Sequence, residues 1–64
     1  MNDQEKIVIL EKNISFKFKD ITDFDITKCV TEYVEKGGWN ENKSQTQAIA
    51  DCASWMIQKL ARKR

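Results

Sequence analysis

Histidine and proline are both missing from this 64-residue chain, and glycine and cysteine occur only twice each. Without histidine the commonest general base, the usual zinc ligand and the Ser-His-Asp and Cys-His arrangements all disappear together. No enzyme is expected on that ground. The two glycines, Gly37 and Gly38, are adjacent, but by themselves they do not make a phosphate loop, since the full Walker pattern is not matched around them. Cys29 and Cys52 are too few for a disulfide framework and too widely spaced for a CxxC redox or zinc pattern. Reduced thiols in structural, apolar positions are therefore expected, although two paired helices would bring these cysteines face to face. The aspartates Asp20, Asp23 and Asp25 suggest the start of a calcium loop, yet the twelfth position counted from Asp23 is Val34 and offers no carboxylate. They read instead as helix-start acids, so neither a metal nor a cofactor is expected.

Long apolar runs are absent too. Nothing approaches the roughly 18 residues that would suggest a membrane span, and the polar opening "MNDQE" does not resemble a secretory signal. A cytoplasmic protein is the expectation, with residues 1–5 frayed.

What is present is a hydrophobic share of 41% and a charged share of 33%, the balance of a folded chain rather than a disordered one. One small domain, residues 1–64, follows from the length. A chain of this size buries only about 60% of the surface its unfolded form exposes, so an added staple or a partner is usually needed. The net charge of +1 is unevenly placed: residues 1–41 carry six lysines against nine acids, whereas residues 42–64 carry five cations against Asp51 alone. Such asymmetry is a mark of nucleic-acid or acidic-partner contact, although cations also suit a helix C-terminus.

The local patterns predict an α+β fold in the order β-β-α-α. "KIVIL" is a continuous β-branched run, and "ISFKFK" alternates, with Ile14, Phe16 and Phe18 on one face and Ser15, Lys17 and Lys19 on the other. With only Glu11, Lys12 and Asn13 between them, residues 6–19 read as an antiparallel hairpin. Pairing Leu10 with Ile14 and Val8 with Phe16 turns Ile7 and Ile9 to the opposite, uncovered face. Ile26, Cys29, Val30, Tyr33 and Val34 then mark an amphipathic helix over 23–36, capped by Thr22 and ended by Gly37 or Gly38. Ile49, Cys52, Ala53, Met56, Ile57 and Leu60 mark a second helix over 44–62, opened by Ser44 and Gln47. These two helices are expected to form an antiparallel pair on which the hairpin packs.

An exposed hairpin with two open edges needs a neighbour, and this points to a homodimer or a donated strand. The leading function is accordingly a small protein-binding module, an inhibitor or adaptor of the bacterial or phage accessory type that lysine-, asparagine- and isoleucine-rich composition suggests. Its candidate partner-binding residues are Ile7 and Ile9 on the uncovered strand face, Trp39 and Asn40 in the loop, and Trp55 on the flank of the second helix. Trp39 has two readings: a ring folded back over the open end of the helix pair, or an exposed aromatic of the kind enriched at binding hot spots.

A second function class is nucleic-acid binding. A strand followed by two helices, as in residues 14–62, resembles the ribbon-helix-helix family, whose paired strands enter the DNA major groove. That resemblance implies Ser15, Lys17 and Lys19 facing the bases. The basic cluster Lys59, Arg62, Lys63 and Arg64 would add phosphate contacts, or else is simply a solvated last turn.

Overall fold

The computed structural model describes residues 2–62 and contains three helices: α1 (Asp3–Lys17), α2 (Asp23–Glu35) and α3 (Gln45–Ala61). Among the described residues there is no strand. The α+β expectation is therefore corrected to a three-helix bundle in which α1 packs against α2 and both touch α3.

The hairpin expected over residues 6–19 is a single helix. Its first turn contains Asp3 and Glu5, two acids that favour a helix N-terminus, and the Asn2 side chain accepts the Glu5 backbone N–H at 2.8 Å. The polar opening expected to fray thus supplies a cap and a first turn; Met1 lies outside the described residues. Leu10 and Ile14 are completely buried, and Ile7 packs beside them at the same helical spacing. Asn13, expected to take a left-handed turn conformation, sits in the helix and donates its side-chain amide to the Ile9 carbonyl at 2.8 Å. The β-branched run misled because strand preference measures fit to a half-buried pleated surface rather than a backbone requirement. One helix satisfies its own backbone groups and delivers a single stripe to α2 and α3, whereas an isolated hairpin would leave both edges open.

Helices α2 and α3 follow the sequence closely. Thr22 accepts the Asp25 N–H at 3.2 Å, and Ser44 accepts the Gln47 N–H at 3.2 Å, each side chain capturing a donor that the helix start leaves unpaired. Helix α2 ends in a Schellman motif. The Gly38 N–H donates to the Tyr33 carbonyl at 2.9 Å and the Gly37 N–H to the Val34 carbonyl at 3.0 Å. Gly37 has φ of +82°, a conformation that costs an ordinary L-residue roughly 1–2 kcal/mol.

The core gathers Leu10 and Ile14 from α1, Ile26, Val30 and Tyr33 from α2, and Ala48, Cys52 and Met56 from α3. Trp39 closes it from the loop. Only 5% of Trp39 is exposed, and its indole N–H donates to the Lys43 carbonyl at 3.1 Å. From the far side, Lys6 on α1 donates to the Trp39 carbonyl at 3.1 Å. The long interhelical loop is explained by this: it needs length to fold a large ring back over the bundle.

Candidate functional site on the outer face of the first helix

Because Leu10 and Ile14 take the inner face of α1, the residues about 80° apart on the outer face are Val8 and Phe16. Val8 is 54% exposed and Phe16 80% exposed. Between them lies the exposed Lys12, and a surface groove of about 560 Å³ is lined by Val8, Ile9, Lys12, Asn13, Phe16 and Gln45. A second groove, about 410 Å³, shares Val8 and Lys12 and runs toward Asp23 and Ile26 of α2. The Lys19 ammonium stands 5.7 Å from the centre of the Phe16 ring, so the C-terminal end of this face is cationic. Its N-terminal end carries the exposed Glu5.

Phe24, 75% exposed, projects from the outside of α2, and Ile57 is half-exposed on α3 beside Ile21 and Leu60. Neither shares a groove with the α1 face.

Where the α2–α3 loop meets the bundle, Lys43, Asp51, Tyr33 and Gly38 form a polar cluster. Lys43 donates to the Asp51 carboxylate at 2.7 Å and to the Gly38 carbonyl at 2.7 Å, while the Tyr33 hydroxyl donates to the same Asp51 oxygen at 2.6 Å. The hydrogen bonds from Lys43 and then from Tyr33 hold the Asp51 carboxyl below the usual carboxylate range, against a smaller opposing effect of burial. Burial, reinforced by the Asp51 hydrogen bond and charge, pushes the Tyr33 phenol above its ordinary range. The cluster fastens the loop to α2 and α3. The Lys43 ammonium, the Tyr33 hydroxyl and one Asp51 carboxylate oxygen are all engaged within the chain.

Trp55 is half-buried against Tyr33, ring centres 6.2 Å apart and tilted by 54°. Two ammonium groups lie over it, Lys59 at 4.7 Å and Lys36 at 5.0 Å from the ring centre. Lys59 also forms an ion pair with Glu32 of α2. Cys29 and Cys52 are buried thiols that face the same core, not a disulfide. Burial pushes the Cys52 thiol up to about 12, with Cys29 and Asp51 adding to the effect and Lys36 opposing it.

The residues singled out from the sequence are thus dispersed. Ile7 and Ile9, expected on an uncovered strand face, are partly buried against the chain's own core. Trp39 is buried in the core, whereas Asn40 is exposed and accepts the Asn42 N–H at 2.9 Å. Ser15 is half-buried on α1, Lys17 is exposed in its last turn, and Lys19 lies just beyond it. Among the described residues the strand that the ribbon-helix-helix resemblance requires, with Ser15, Lys17 and Lys19 along it, is absent. Of the basic cluster, Lys59 is committed to Glu32 and Trp55, Arg62 is exposed as the C-cap of α3, and Lys63 and Arg64 lie outside the described residues. The homodimer expected through a strand edge loses its edge for the same reason.

Sequence reasoning missed the outward pair Val8 and Phe16 and the Lys43–Asp51–Tyr33 cluster. A signal for the second was present: a tyrosine on a buried helical stripe requires a partner for its hydroxyl, and Asp51 is the one acid in residues 42–64. Among the described residues no group of three or more histidine, cysteine, aspartate or glutamate side chains is placed to hold a metal ion. None of the helices described is long and apolar enough to cross a membrane. No family model, no curated protein and no solved structure matches the chain.

Proposed function

We propose that this chain is a protein-binding module of adaptor or inhibitor type, and that the outer face of α1 is its docking surface. The observation that carries the reading is Phe16: a phenylalanine 80% exposed on a helix, with Val8 54% exposed on the same face. Fully burying one such side chain at an interface contributes roughly 1.5–3 kcal/mol, far more than a solvated polar residue would gain there. The rest of the molecule supports the choice. Its core is closed by its own helices and by Trp39, and no buried polar side-chain atom among the described residues lacks a partner. The polar cluster around Asp51 serves the loop, and the chain has no histidine to offer as a catalytic base. Apolar side chains seated in the groove beside Lys12 would cover Val8, Ile9 and Phe16, and carboxylates would meet Lys12 and Lys19.

The experiment compares the tagged wild-type chain with Phe16→Asp and Phe24→Asp as bait in extract of the source cells. A protein retained by wild type and by Phe24→Asp but lost with Phe16→Asp supports the α1 face. Recovery of the same proteins with all three baits overturns it. Circular dichroism of each bait establishes that all remain helical.

A further inference from the structure

Resting on the reading that the outer face of α1 is a docking surface, we infer that its occupant is a second copy of this chain, α1 against α1, antiparallel about a twofold axis at Lys12. The order of residues along the face carries this. From N- to C-terminus it runs Glu5, Val8, Lys12, Phe16, Lys19. Reversed against itself at Lys12, the acid Glu5 meets the partner's Lys19, and Val8 meets the partner's Phe16. A twofold interface requires this self-complementarity, in which each residue's contact is returned by the other copy. Two features already on the page place the ends correctly. Glu5 is exposed in the first turn, and Lys19 lies beside the Phe16 ring rather than on another face. The groove lined by Val8, Ile9 and Phe16 stands where the partner's Phe16 would arrive. Antiparallel pairing also sets the positive end of one helix dipole beside the negative end of the other.

The axis carries one unfavourable element, Lys12 facing the partner's Lys12, with Glu11 beside each to offset part of the repulsion. Like charges directly opposed weaken a pair, and a single helix face buries little area, so the dimer belongs to the weak, exchanging class. It is a different dimer from one made through a sheet edge, and its chemistry is set by residues of α1 together with Lys19 in the turn just after it.

Sedimentation equilibrium over a concentration series to roughly 1 mM, the limit of weak association, tests this with five variants. Glu5→Lys alone and Lys19→Glu alone are each expected to weaken dimerisation by about two- to ten-fold, since each alters two symmetry-related pairs. The double variant, with the charges exchanged, recovers the wild-type constant. Phe16→Lys abolishes the dimer, and Lys12→Leu tightens it by about ten-fold or more, because it removes the repulsion at the axis and adds apolar area. A wild-type chain that stays monomeric throughout, or a double variant no better than the single ones, overturns the inference. Monomeric wild type together with Phe16-dependent capture of another protein removes the self-pairing and keeps the docking face. Monomeric wild type with no Phe16-dependent capture removes both.

Discussion

Gly37 and Gly38 stand side by side yet do different work, and their substitutions separate the two roles. Alanine at Gly37 meets no neighbour but must adopt φ of +82°, so Gly37→Ala is expected to cost about 1–2 kcal/mol through backbone strain alone. Alanine at Gly38 would drive its methyl group into the Tyr33 ring, and with that ring fully buried the cost is overpacking, roughly 1–3 kcal/mol. Urea denaturation of both variants checks the pair. The Asp51 carboxyl predicts a pH effect at the same scale. Its folded-state affinity for protons is depressed by Lys43 and Tyr33, so its contribution is present above the ordinary carboxylate range and fades as pH falls below about 4. Asp51→Asn is expected to lower stability at neutral pH and to converge on wild type in acid, as read by denaturant midpoints across pH. Tyr33 and Cys52 act with the opposite sign. Both hold their protons more tightly when folded, Cys52 up to about 12, so stability is full below their unfolded values and falls as pH rises past about 8.5 for the thiol and about 10 for the phenol.

Elements were legible in proportion to how completely each announces itself locally. Helices α2 and α3 each carry an unbroken apolar stripe, a Ser or Thr cap three residues before its donor, and, for α2, a glycine stop. Thr22→Ala and Ser44→Ala are each expected to cost about 1 kcal/mol in thermal or chemical unfolding. Helix α1 announces itself badly. Ile7, Leu10 and Ile14 form its buried stripe, but Val8 and Phe16 place further apolar side chains on its outer face, and the alternation from Ile14 to Lys19 imitates a strand. That smearing of apolar residues around one helix hid both the element and the candidate site. A discriminating pair follows from it. The hairpin would have sent Val8, Leu10, Phe16 and Phe18 to one face, whereas in the bundle Leu10 is buried and Phe16 is exposed. Leu10→Ala is expected to cost about 2–5 kcal/mol, while Phe16→Ala stays within about 0.5 kcal/mol in the monomer.

The molecule as a whole compensates for its small size by drawing the loop into the core. Trp39, Lys43 and Gly38 tie the α2–α3 connection to Tyr33 and Asp51, and Lys6 of α1 reaches across to the Trp39 carbonyl. Trp39→Ala should therefore cost about 3–5 kcal/mol, the loss of a large aromatic from a core, and would loosen the loop as well, which hydrogen exchange of the Asn40–Lys43 amides would record. No second chain is needed to finish this interior; the association proposed above belongs to the outer surface of α1. What the sequence determined by itself was local: two capped helices, the glycine stop of the first of them, and two thiols on helical stripes. These rest on contacts between residues a few positions apart, which pattern and propensity report directly. Tertiary structure alone decided the state of residues 3–17, the burial of Trp39, and the exposure of Val8 and Phe16. A β-branched segment accepts helix or strand at nearly equal local cost, and the choice went to whichever form let α2 and α3 bury Leu10 and Ile14 while leaving no backbone edge unpaired.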